Sequence, residues 1–488
     1  MAEYTDRGDS LIGGSTSRRV FLAGSATTVG TALFVGPVEA ATAVGPLDLS
    51  DDWPQGPGRP NRPQRPDDAL RVMLAEVDPR RIEHTVRRLV SFGTRHTLST
   101  QSEPDHGIGA ARDWIFNTLS GYARRSGGRM TVRKQAYIQQ PASRIDRPTR
   151  ITNVLATIRG SMMPNRVYVI SGHYDSRVTD VMNRTSFAPG ADDDASGVAV
   201  SMEVARVLSM HRPEATIVLA AVAGEEQGLY GSTHMAQLFE ASSADVQGRF
   251  TNDIVGSSTA DDGTRDPHSL RLFAEGVPSN ESPAEADLRR AIGGENDSPA
   301  RQLARLVTEV ADNRATDMRI RVIYRRDRYL RGGDHIPFLE RGFPAGRFTE
   351  PNENFAHQHE DVRKENGQQF GDLPRFCDFD YIARVARVNA ATPYSLANAP
   401  GTPKNAHVDT TALTNDTKLT WDANSEPDLD HYEVVWRPTL EDDWTHVIDV
   451  GKATHVTIDL SKDNVFFGVR AVDSDGHRSP AAFPTPTS

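Results

Sequence analysis

The chain has 488 residues, 25% of them charged and 37% hydrophobic, with a formal net charge of −11. Its length exceeds what one hydrophobic core usually serves and predicts two domains with terminal segments, while its composition sits near ordinary globular usage. The acidic balance excludes a nucleic-acid groove, which needs a basic face, and a single cysteine, Cys377, excludes an intramolecular disulfide framework and any multi-cysteine zinc cluster.

At the N-terminus, Ser17-Arg18-Arg19-Val20-Phe21-Leu22 opens an apolar run from Val20 to Val35. At about 16 residues that run is too short to span a bilayer comfortably. Paired arginines, a modest stretch rich in Gly, Ala and Thr, and small residues around Ala40 and Ala41 occur in that order, so residues 1–43 resemble a twin-arginine signal peptide. The resemblance implies export to the periplasm, the cell surface or the medium, with no stable membrane insertion after signal removal. Residues 44–68 carry Pro, Gly, Asp and Arg with few apolar side chains, which predicts a disordered linker.

Helical periodicity begins at Ala69, with Ile82, Val86, Leu89 and Val90 on one stripe and an amphipathic segment over Ala110 to Leu119. The apolar runs Val167-Tyr168-Val169-Ile170 and Ile217 to Val222 flank the helix-like Val198 to Met210, a strand, helix, strand order that predicts a mostly parallel sheet flanked by helices. Residues 257–305 are rich in Ser, Asp, Gly, Glu and Pro and read as an excursion with little sheet structure. The α/β domain is expected over 69–398, closing with a helix over Tyr381 to Leu396. From residue 401 the pattern switches to short alternating runs separated by turn residues, which predicts an all-β sandwich over 401–488. Its Leu419-Thr420-Trp421, Tyr432 to Trp436 and Phe466 to Asp473 resemble core strands of a fibronectin type III domain, with Trp421, Tyr432 and Trp436 as core. A cell surface or a polysaccharide is the partner considered for it.

Five short segments place His, Asp or Glu where an apolar strand ends or a loop begins. In Gly172-His173-Tyr174-Asp175 an imidazole leaves a buried strand with a carboxylate two residues on, placed to orient it. The triplet Asp192-Asp193-Asp194 would repel itself unless a cation or several backbone donors stood among its members, and Ser196 is placed to cap the helix that follows. Gly224-Glu225-Glu226 ends another strand, and adjacent side chains that point apart permit one ligand and one general base. Asp253 closes a short strand-like run, and Ala356-His357-Gln358-His359 offers two imidazoles. A His and carboxylate set of this kind suits zinc without any cysteine.

These motifs, in order and spacing over residues 80–395, resemble the secreted leucyl aminopeptidase family of co-catalytic two-zinc exopeptidases. The resemblance implies two zinc ions per chain acting on peptide substrates: His173 and Asp253 on one, Glu226 and His357 on the other, Asp193 bridging both, Glu225 as general base and Asp175 behind His173. It also implies a cis peptide between Asp193 and Asp194, and a substrate wall that includes Gly333-Asp334-His335-Ile336-Pro337-Phe338. The His-x-x-x-Asp spacing from His357 to Asp361 favours His357 over His359, which is the alternative ligand. Competing readings are a one-zinc glutaminyl cyclase, a carboxypeptidase acting on acidic C-terminal residues, and a non-catalytic binding protein; the last has no use for a general base.

Overall fold

A computed structural model of the chain describes residues 53–487. The signal-peptide reading of 1–43 and the first part of the linker reading, 44–52, lie outside the described residues.

Eight strands form the central sheet: β1 (Met130–Gln139), β2 (Thr149–Ile158), β3 (Met163–His173), β4 (Ala215–Val222), β5 (Asp245–Asn252), β6 (Ser269–Ala274), β7 (Arg319–Ile323) and β8 (Ala345–Thr349). Their order is β1-β2-β4-β3-β5-β8-β6-β7. The central run β4-β3-β5-β8 is parallel throughout, β6 and β7 are parallel to each other, and the β1–β2, β2–β4 and β8–β6 pairs are antiparallel. Helices α1 (Asp68–Ala75), α2 (Pro79–Val90), α3 (Gly107–Arg125), α4 (Ala195–Leu208), α5 (Tyr230–Ala241), α6 (Pro283–Ile292), α7 (Pro299–Ala311), α8 (Ile336–Leu339) and α9 (Phe379–Asn398) connect and cover the strands.

The apolar runs become buried strands because each supplies both faces. Tyr168, Ile170, Ile217, Leu219 and Ala221 pack with α2, α4 and α9 on one side, while Val167, Val169, Val218, Ala220 and Val222 pack with α5 and α8 on the other. Successive strand residues point to opposite faces, so a continuous Val/Ile/Leu run is what a doubly covered parallel strand requires. Two glycines set how closely the layers approach. A Cβ at Gly172 would lie 2.3 Å from the Gly197 carbonyl carbon, and one at Gly197 would lie 2.2 Å from the Asn252 carbonyl oxygen. Only glycine lets α4 seat against the ends of β3 and β5, and that seating brings His173, the aspartate triplet and Asp253 together.

The segment 257–305 contributes more than an excursion: its apolar Ser269–Ala274 is inserted between β8 and β7. Flanking polar loops masked a strand that gains its hydrogen bonds from residues far away in sequence. The cap of α4 is Asp194, whose Oδ1 accepts from the Gly197 amide at 3.0 Å, and Ser196 lies inside the helix with its hydroxyl on the Asp192 carbonyl at 2.7 Å.

Residues 401–487 supply three strands of one four-stranded sheet and all four of another, packed over Trp421, Tyr432, Trp436, Val434, Phe467 and Val469. One of those sheets is completed by Arg59–Pro60, which pairs antiparallel with His446–Val447. Residues 53–66 are therefore structured, contrary to the linker expectation. Trp436 Nε1 donates to the Pro57 carbonyl at 2.8 Å, and Asn61 Nδ2 donates to the Trp444 carbonyl at 3.1 Å and to Glu309 at 2.9 Å. A segment with little apolar surface of its own is ordered by backbone pairing to an edge strand that needs covering.

Candidate metal centre

The site lies beyond the carboxyl ends of β3, β4, β5 and β8, where parallel strands of such sheets present their loops. His173 is the last residue of β3, and its backbone amide donates to Asp194 Oδ2 at 2.8 Å. Glu225 and Glu226 follow β4 in a turn whose amides point at one carboxylate: Asp175 accepts from the Glu226 amide at 3.2 Å, the Glu225 amide at 3.4 Å and the Thr97 hydroxyl at 2.9 Å. Asp175 thus fixes the glutamate turn as well as standing behind His173, whose Nδ1 is 3.2 Å from the Asp175 carbonyl and 3.6 Å from its Oδ1.

The middle aspartate is held between the two imidazoles. Asp193 Oδ1 is 3.1 Å from His173 Nε2, and Asp193 Oδ2 is 2.8 Å from His359 Nε2. Two trios of donors result, His173 with Glu225 and Asp253, and Asp193 with Glu226 and His359, each with its ligand atoms within 4.8 Å of one another. The peptides Asp193–Asp194 and Asp253–Ile254 are cis.

His359, not His357, joins the second trio. The His357 ring stacks on Phe376 with centroids 3.5 Å apart and planes 9° apart, while His359 sits in the left-handed region at φ 56° and turns its Nε2 to Asp193 and, at 3.2 Å, to Glu226 Oε1. Spacing alone does not register that reversal of the backbone, since histidine is among the non-glycine residues that tolerate it.

Several supporting groups carry no local sequence signal. Asp372 accepts from the amides of Asp192 at 2.8 Å and Asp193 at 2.7 Å, Gln358 Nε2 donates to Asp193 Oδ2 at 3.1 Å, and Arg347 Nη2 donates to Asp253 Oδ1 at 2.9 Å. Buried Arg95 donates to the carbonyls of Tyr174, Pro189 and Gly190, tying the loop after β3 to the approach to the triplet. Their partners lie far away in sequence, so only the fold reveals the pairing.

The charge balance is lopsided. Asp175, Asp193, Glu225, Glu226 and Asp253 converge on two imidazoles and one guanidinium. Burial holds the Glu225 carboxyl well above its ordinary range despite His173, with Asp253, Glu226 and Asp334 adding to the shift. Burial and then Asp193 push Asp253 up to about 6. Burial alone would lower His359, but Glu226 and Asp193 outweigh it and raise its pKa to about 10. For Asp193 burial is outweighed by His359 and His173, which hold it well below the usual carboxylate range. The donor chemistry fits a divalent cation: Glu226 Oε1 is buried with no hydrogen-bond partner, and the carboxylates of Asp193 and Glu226 converge on His359 Nε2, which offers them a proton when charged and offers a cation its lone pair when neutral.

Fold and donor set together define an α/β metalloenzyme. The model of peptidase family M28 matches residues 153–369. A probable zinc metalloprotease of Pyrenophora teres f. teres is 58% identical over 86% of this chain and 88% of its own length, and one of Pyricularia oryzae is 55% identical over 86% and 85%. The crystal structure of LapB from Legionella pneumophila superposes with a TM-score of 0.49 at 18% identity, covering 70% of this chain and 78% of that one. The chain belongs to peptidase family M28 and is a zinc metalloprotease, a peptide hydrolase.

Proposed function

We propose that the chain is an exported aminopeptidase that removes N-terminal residues from peptides with two zinc ions. His173 and Asp253 would hold one, Glu226 and His359 the other, with Asp193 shared between them, and Glu225 would be the general base. The observation that carries the two-metal reading is Asp193, whose two oxygens each face a different imidazole, at 3.1 and 2.8 Å. Zinc bound there supplies a lowered pKa for a bound water and polarisation of the scissile carbonyl.

The chain's own residues do the rest. Glu225 Oε2 stands 4.0 Å from His173 Nε2, beside the donors that would hold a cation, and there it would take the proton of the attacking water and return it to the amine that leaves when the C–N bond breaks. Asp175, through the two amides of the glutamate turn, keeps Glu225 and Glu226 aimed in different directions. Arg347 on Asp253 and Asp372 behind Asp193 fix the remaining donors against the pull of their like-charged neighbours.

The choice of an N-terminal substrate residue rests on likeness to the leucyl aminopeptidase motifs, and export rests on the arginine pair and apolar run before residue 43. For the C-terminal sandwich the fibronectin type III reading rests on its strand pattern. Zinc content and hydrolysis of leucyl-p-nitroanilide, of an N-acetylated tripeptide and of its free-amine counterpart, measured for the parent and Glu225→Gln, test the assignment. Two zincs per chain, cleavage only where the amine is free, and a loss of about 10²–10⁴-fold in the variant are expected. One zinc, or cleavage that ignores the amine, would overturn it.

A further inference from the structure

Two loops that feed the site are fastened to each other at its rim. The first, residues 324–333, follows β7 and closes on Gly332, whose carbonyl accepts from Arg347 Nη1 at 3.0 Å, while Nη2 of the same arginine holds Asp253. The second, residues 350–359, follows β8 and ends at His359. Glu353 joins them: its carboxylate, 5% exposed, receives Arg331 at 2.9 Å, Arg328 at 3.3 Å and Arg271 at 3.5 Å. Asp327 adds a further lock through Arg328 at 3.0 Å and Arg347 at 3.4 Å.

The base of the first loop is thus cross-linked and its tip is not covered. Tyr329 is 79% exposed and Leu330 106%, and Leu330 is in the left-handed region at φ 54°, which a bulky side chain seldom adopts. Arg325 lies over the Tyr329 ring at 3.7 Å and steadies it. On the second loop, two residues beyond Glu353, Phe355 is 60% exposed. Chain reach keeps Leu330 within about 7 Å of the Gly332 Cα and Phe355 within about 15 Å of the His359 Cα. A Cβ at Gly333, where the first loop ends, would lie 3.4 Å from Asp253 Oδ2, so large apolar side chains held out in water stand on loops whose bases reach the site's own donors, and such side chains offer contact to an apolar ligand.

We propose that Tyr329, Leu330 and Phe355 form a subsite for a bulky apolar side chain of the peptide downstream of the residue released, so that the enzyme favours oligopeptides carrying one over single-residue amides. This rests on the aminopeptidase reading. The residue being released must bring its carbonyl to donors that are buried, so exposed loop tips are available to the remainder of the peptide rather than to that residue. The Glu353 cross-link fixes the loops beforehand, which spares the ordering entropy that a mobile rim would lose on binding.

The test compares kcat/KM for Leu-Gly-Gly-Gly with that for tetrapeptides carrying Phe at the second, third or fourth position, in the parent, in Leu330→Ser and Tyr329→Ser, and in Leu413→Ser as an exposed control on the sandwich. A gain of about tenfold for Phe in at least one position is expected, the size of one apolar contact in a specificity pocket. It should shrink severalfold in the two loop variants and persist in the control. No gain at any position, or a gain that survives both loop substitutions while the peptides are still cleaved, overturns the subsite alone. Failure to cleave any of the peptides overturns the aminopeptidase reading and this inference with it.

Discussion

Two regions of this molecule bury many charges and treat them in opposite ways. At the seam between the α/β unit and the sandwich three acids, Glu433, Glu309 and Asp297, each meet arginine. Glu433 has Arg59 and Arg470 at 2.8 Å and Arg478 at 3.4 Å, Glu309 takes Arg470 Nη1 on both oxygens at 3.0 Å, and Asp297 lies between Arg437 at 2.6 Å and Arg305 at 3.0 Å. Burial would raise Glu433, but Arg470 and Arg478 outweigh it and hold its carboxyl below the ordinary range. At the site the same residue type is pushed the other way, since burial and neighbouring acids hold Glu225 well above that range. A buried charge matched within the chain is architecture, because removing either partner strands the other; an excess of one sign marks a place completed by something from outside the chain.

The sharpest way to break that comparison is at the imidazole that faces two of the site's acids. His359→Ala should lose one zinc and on the order of a thousandfold in kcat/KM, the several kcal/mol that charge stabilisation by one metal contributes. His357→Ala, which removes only a ring stacked on Phe376, should keep its zinc content and most of its activity. Metal analysis with leucyl-p-nitroanilide kinetics on the pair decides it, and the reverse pattern would return the ligand role to His357.

That pair also marks where the sequence stopped being legible. Strand ends carrying His173, Glu225 with Glu226, and Asp253 were readable, because an apolar run that ends in an acid or imidazole is unusual and its periodicity is local. What depended on distant partners was not. Arg59–Pro60 became a strand only because His446–Val447 needed an edge partner, Ser269–Ala274 only because β7 and β8 stood ready on either side, and Asp372 reached the triplet from about 180 residues away. The choice between His357 and His359 turned on one left-handed residue, which no periodicity encodes.

At the seam the expected effect is on stability rather than chemistry. Arg470 donates to Glu309, Glu433 and Asn61 and is itself buried, so Arg470→Met should cost about 3–5 kcal/mol by stranding the carboxylates it pairs. Urea unfolding of the zinc-loaded enzyme measures this, with kcat of the folded fraction unchanged. If the variant were as stable as the parent, the seam would be no better matched than the site.

The smallest effect tests a pH-sensitive contact at the seam, that of His477. His477 Nδ1 is 2.8 Å from Asp473 and its Nε2 is 3.3 Å from Asp67, the residue that caps α1 by accepting from the Leu70 amide. Burial would lower the His477 pKa, but Asp473 and Asp67 outweigh it and raise it. A raised folded value means that the protonated ring stabilises the fold, a contribution fully present below the unfolded value of about 6.5 and lost as pH climbs through the folded one. Because Asp67 is 39% exposed, solvent screening limits the contribution to about 1 kcal/mol or less. Unfolding midpoints of the parent and His477→Gln, compared at about pH 6 and about pH 9, isolate it, since the metal centre titrates identically in both proteins. The parent should lose its advantage over the variant at the higher pH; an advantage that is flat across the window would mean that the His477 contact does not titrate there and that this part of the seam, unlike the site, is indifferent to pH.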